Sequence, residues 1–142
     1  MMLPLRYALR WQVASAVLLL IVLAGAVMPA VWLWPDRVRI ESWLDHLDKW
    51  AHLITFAFLA VWFAGQYRRT SYWRIAAGLV GFGILIELCQ RMVGYRTAEL
   101  FDIGADVAGV VLGLIIGLAG AGGWCQRFEN WYVMRGAGTS VD

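Results

Sequence analysis

The sequence predicts an all-α integral membrane bundle of four transmembrane helices, with a short interfacial helix before the second span. Three observations predict it. The 142-residue chain is 61% hydrophobic and 15% charged, too apolar for a small soluble domain. Long apolar runs alternate with short charged stretches, as in a multi-pass chain. Eight of the nine tryptophans fall near predicted span ends, Trp62 being the exception, as aromatic belts require. A single membrane domain is expected over 1–142, with spans at about 12–34, 50–67, 73–92 and 104–125 and a cytoplasmic tail over 126–142. No basic stripe is present, so nucleic acid is not an expected partner.

From Trp11 to Pro35 there are 25 residues without a charge, enough to cross ~30 Å of hydrocarbon as a helix. The run continues past the small residues Ala24, Gly25 and Ala26 to Trp34. That is longer than the apolar region of a signal peptide, so an uncleaved first span is expected. In the following segment, Asp36 to Asp48, the residues Ile40, Trp43, Leu44 and Leu47 make one helical stripe. This is the helix expected to lie in the interface, with His46 solvated. The second run is Trp50 to Tyr67, and Arg68, Arg69 and Arg74 make the linker after it basic. The third, Ile75 to Ile86, has 12 residues without charge and spans only if Glu87, Cys89 and Gln90 also enter the membrane. The fourth is Val107 to Gln126. Its Gly109, Gly113 and Gly117 recur every four residues, in phase with Ala105 and Ala121, and predict a helix-packing face that leaves dimerisation open. Phe128, Trp131 and Tyr132 share one face of the tail, which ends in GAGTSVD, expected to be disordered. Cys89 and Cys125 are far apart and read as free, with neither disulfide nor zinc spacing.

The N-terminus, the linker after the second run and the tail carry seven basic residues against five elsewhere. The segment Asp36–Lys49 has net charge −1 and Arg68–Arg74 has +3. The positive-inside rule therefore places both termini in the cytoplasm of a multi-pass protein.

This topology brings three polar groups to one side: Asp48, Lys49 and His52; Glu87, Gln90 and Arg91; Asp102 and Asp106. At ~1.5 Å per residue, Glu87 lies ~21 Å along its helix from Trp73, and Asp106 enters from the opposite direction to similar depth. Each group has i, i+3 or i+4 spacing and so shares a helix face. Charged groups in or beside hydrocarbon cost several kcal/mol unless paired or wetted, and they usually mark function. The expectation is one wet, outward-facing cavity, with Arg96 in the loop beside it.

The stretches DKWAHLITFAFLA and ELCQRMVGYRTAELFDIGADVAGVVLG resemble the VanZ-like family of small bacterial membrane proteins. Asp48, Lys49, His52, Phe56, Glu87, Gln90, Arg96, Asp102, Asp106, Gly109 and Gly113 carry the resemblance, which covers roughly Leu47 to Gly117. It implies a four-helix protein of the bacterial inner membrane, associated with low-level resistance to the glycopeptide teicoplanin. It implies no defined biochemical activity.

Four roles are open for Asp48, Lys49, His52, Glu87, Gln90, Arg91, Arg96, Asp102 and Asp106. The first is binding of an anionic envelope lipid, a glycolipid or a lipid-linked envelope precursor, with Lys49, Arg91 and Arg96 on phosphate. The second is a membrane hydrolase or transferase with His52 as acid or base, oriented by Asp48, Glu87 or Asp106. No serine or cysteine stands out as its nucleophile. The third is a metal site of His52 with Asp102, Asp106 and Glu87. The fourth is a structural network of Glu87–Arg91 and Asp106–Arg96 pairs. Binding ranks first; no metal is assigned and no cofactor is expected.

Overall fold

The computed structural model describes residues 1–28, 41–93 and 100–137, with the backbone alone described at 41–47, 93, 100, 136 and 137. Its helices are α1 (Ala8–Val27), α2 (Glu41–Gln66), α3 (Tyr72–Val93), α4 (Leu100–Ile116) and α5 (Trp124–Ala137). A 3₁₀ turn, Arg69–Ser71, leads into α3, and a π segment, Gly117–Ala121, ends α4. Among the described residues there is no strand; an isolated antiparallel bridge joins Met2 to Tyr67.

The helix boundaries follow local chemistry. Met28 is extended (φ −65°, ψ 132°), because Pro29 excludes the α conformation from the residue before it; α1 therefore stops at Val27. Residues 29–40 of the expected first span and interfacial stripe lie outside the described residues. From Glu41 to Ala64 the sequence has neither glycine nor proline, and α2 runs unbroken for 26 residues. This corrects one expectation: residues 41–48 do not form a separate interfacial helix but are the first turns of α2. The chain leaves α4 at Gly120 (φ 142°) and Gly123 (φ 73°), conformations that side chains with a Cβ rarely adopt. Arg127 holds this turn by donating to the carbonyls of Gly122 (2.8 Å) and Gly120 (3.0 Å).

Three helices are long and apolar enough to cross a membrane by length and composition: Ala8–Val27, Arg69–Met92 and Phe101–Ala121. Helix α2 is longer but opens on the charged stretch Glu41–Lys49 and stands outside that set. Large apolar side chains face outward along the bundle, among them Val13 and Leu20 on α1, Ile54 and Phe58 on α2, Leu88 on α3 and Ile115 on α4. A chain in water would bury such a continuous apolar surface; a membrane helix leaves it to lipid.

Helices α2 and α4 form the most extensive pair, and the glycine line is its seam. A Cβ on Gly109 would run into the carbonyl oxygen of Leu53. One on Gly113 would meet the carbonyl oxygen of Ala57, and one on Gly117 the Cβ of Ala64 at 2.9 Å. The small residues thus serve packing within the chain. Phe56, Leu59, Ala60, Ala64, Ile86 and Val110 form the buried core beside this seam.

The two ends of the bundle differ. At one end the backbone amide of Leu3 donates to Gln66 (2.8 Å) and that of Arg68 to Met1 (3.1 Å). Helix α5 closes the same end: its buried Glu129 accepts hydrogen bonds from the Arg6 amide (2.7 Å), the Tyr7 amide (3.0 Å) and Trp11 Nε1 (2.9 Å). Trp11, Trp62 and Trp124 meet there with ring centroids 5.4 to 5.6 Å apart. Trp62, the tryptophan away from the span ends, donates to Ser15 Oγ at 2.9 Å, and Gln66 donates to the same oxygen at 2.9 Å. Both cysteines are free thiols, and Cys125 is buried. Of the tail, 138–142 lie outside the described residues.

Candidate functional site

The opposite end of the bundle holds the polar residues. His52 is one turn from Asp48 on α2, and Asp106 is one turn from Asp102 on α4, so each helix presents a two-residue polar face. Aspartate is short and reaches an imidazole on another helix only when the two backbones are close. The glycine seam supplies that closeness, and Gly109 packs against the residue next to His52. The result is a buried pair, His52 Nδ1 and Asp106 Oδ1, 2.8 Å apart. An ionised carboxylate only accepts, so Nδ1–H is the donor, and in the neutral ring Nε2 then carries the lone pair. The His52 ring lies parallel to that of Phe56, 4° between planes and 6.5 Å between centroids.

Helix α3 contributes a small residue and two polar ones. Glu87 and Gln90 are buried, and Gln90 donates to the Ala26 carbonyl at 3.0 Å, tying α3 to the end of α1. Gly83, one turn before Glu87, gives Asp106 its space. A Cβ there would collide with Asp106 Oδ2 and lie 3.3 Å from Phe56 Cζ. That Oδ2 is buried and has no hydrogen-bond partner among the described residues.

Of the nine binding residues expected from sequence, five are buried: His52, Glu87, Gln90, Asp102 and Asp106. Asp48 and Lys49 are half-buried, and the Lys49 ammonium lies over the Phe101 ring at 5.3 Å. Arg91 is exposed, and Arg96 lies outside the described residues. Among the described residues the partner of Asp106 is His52 on α2, one of the pairings the sequence left open; the expected pairing with Arg96 lies outside them. Cys89 lines an apolar groove with Leu20, Leu23 and Met92, apart from the polar cluster.

A cavity of about 280 Å³ reaches the cluster between α1, α2 and α3. It is lined by Asp48, His52, Thr55, Phe56 and Ile86 with Val22, Gly25 and Ala26 of α1. One nitrogen of His52 and one carboxylate oxygen from each of Asp48 and Asp102 lie within 4.8 Å of one another.

Sequence reasoning did not find Gly83, Glu129 or the Ser15–Trp62–Gln66 group. The signal for Gly83 was its place one turn before a deeply set glutamate; the other two depend on contacts more than 40 residues apart in the chain. No curated protein and no solved structure matches the chain. The model of the VanZ/LLP1 family matches residues 6–120. With apolar helices of spanning length and that match over most of its length, the chain is a membrane protein and belongs to the VanZ/LLP1 family.

Proposed function

We propose that this protein binds the polar headgroup of an anionic envelope lipid or glycolipid at the α2–α3–α4 cluster. In this reading α2 crosses the bacterial inner membrane with the other three long helices, and both termini face the cytoplasm. The observation that carries it is the burial of His52, Glu87, Gln90, Asp102 and Asp106 together at one end of the bundle, reached by a cavity of about 280 Å³. Polar groups are costly at that depth, and more of them converge than helix packing needs. The carboxylates and Gln90 suit sugar hydroxyls, and the Lys49 ammonium suits phosphate. A connection to glycopeptide resistance is the phenotype this reading offers for assay.

Native mass spectrometry of protein extracted from membranes tests it. A phosphate- or sugar-bearing lipid should accompany the wild type and be lost from His52→Ala and Asp102→Asn. Identical lipid profiles in all three would reject it. The 2.8 Å His52–Asp106 pair favours a second reading, a hydrolase acting on a lipid-linked substrate, with Asp106 orienting an acid/base histidine. That reading requires turnover of a lipid-linked pyrophosphate that disappears in His52→Ala.

A further inference from the structure

We propose that Asp48, His52 and Asp102 hold a divalent transition-metal ion of the Zn²⁺ or Mn²⁺ kind. The proposal stands whether or not a lipid binds nearby. Three observations converge on it. A ring nitrogen of His52 and carboxylate oxygens of Asp48 and Asp102 already lie within 4.8 Å of one another, although they come from two helices. Ligands ~2.0–2.2 Å from one ion sit ~3–4 Å apart, so closing on a cation needs side-chain movements of about 1 Å.

The second observation is the orientation of the histidine. Asp106 engages Nδ1, and a metal-binding histidine characteristically gives its other nitrogen to a carboxylate, which fixes the tautomer and raises ligand basicity. His52 is 8% exposed, and Nε2 has no hydrogen-bond partner among the described residues. With Nδ1 held by Asp106, Nε2 is the nitrogen left for a ligand, and His52 lines the cavity.

The third is access. Asp48 and His52 both line the 280 Å³ cavity, so an ion has an entry path. Three protein ligands also leave room for an external oxygen on that ion. Two carboxylates and one imidazole suit a borderline cation; the softer thiolates that would select copper are absent, since Cys89 lines a different groove. In this arrangement Asp106 is a positioning residue and does not touch the metal.

The experiment uses the full chain in detergent or nanodiscs, stripped with chelator and titrated with Zn²⁺ or Mn²⁺ alone. Calorimetry and elemental analysis should give one ion per chain. Affinity should fall at least tenfold in Asp48→Asn, Asp102→Asn and His52→Gln. Asp106→Asn should weaken it by ~10–100-fold, the usual effect of losing an outer-shell partner. Asp48 is half-buried, so Asp48→Asn tests the site even if a buried variant fails to fold. With Co²⁺, the d–d absorption bands should change in Asp106→Asn, a readout that a purely structural role would leave unmoved. No saturable binding by the wild type, or unchanged affinity in folded Asp48→Asn, overturns the proposal.

Discussion

Gly83 of α3 faces Asp106 of α4 so closely that a methyl group on the glycine would occupy the space of the aspartate's Oδ2. A residue without a side chain is therefore what lets a buried carboxylate stand between helices and orient His52.

Replacing it tests that relationship. Gly83→Ala should push Asp106 or Phe56 aside and destabilise the protein by ~1–3 kcal/mol, the usual cost of overpacking. Gly81 has nothing within 4 Å of its Cβ position, so Gly81→Ala should be neutral or stabilising by up to ~1 kcal/mol, because alanine is the better helix former. Thermal melts in detergent separate the two. Equal melting temperatures would show that the packing around Asp106 is loose.

The glycine seam makes a second prediction. Gly113→Leu should abolish folded yield, because its side chain would run into the Ala57 carbonyl and the Ala60 methyl. Gly104→Leu, on the same helix with nothing within 4 Å of its Cβ position, should express and fold normally. Gly120 is an unsuitable control although its surroundings are open, because its φ of 142° strains any residue with a Cβ. Monodispersity by size-exclusion chromatography measures the outcome.

Glu129 makes the stability depend on pH. Burial pushes its carboxyl up, but the Arg6 and Tyr7 amides and Trp11 Nε1 more than offset this, with Arg6 adding to them, and hold it below the ordinary glutamate value. A carboxylate held low in the folded state contributes stability that is complete above its unfolded pKa of ~4.3 and is lost as pH falls through the lower folded value. The wild-type melting temperature should therefore fall below pH ~4.3. In Glu129→Gln that part of the slope should vanish, and the protein should be ~1.5–3 kcal/mol less stable at neutral pH, the range for a hydrogen bond to a charged group. Parallel pH profiles for the two proteins would show that the three donors do not depend on the charge.

Sidedness is tested with reporters. Met1 and α5 sit at the same end of the bundle, joined through Arg6, Tyr7 and Glu129. A reporter fused after Asp142 should behave as cytoplasmic and one inserted near Arg37 as external. The reverse pattern would turn the polar cluster toward the cytoplasm and remove the envelope-facing reading.

What the sequence determined by itself was set by short-range chemistry. Apolar runs of spanning length identified the membrane class, and glycines four residues apart identified a packing face, because one helix has a single fixed period. The same period placed Asp48 with His52 and Asp102 with Asp106 on common faces. The tertiary structure decided which faces meet. It matched the glycine line to α2, paired Asp106 with His52, and opposed Asp106 to the bare surface of Gly83. It also carried Glu129 back to the amides of Arg6 and Tyr7. Helical periodicity fixes the angle between residues on one helix but not the rotation of one helix against another. That rotation is settled where backbones can approach closely enough for short side chains to touch, and such places exist only once the helices have packed.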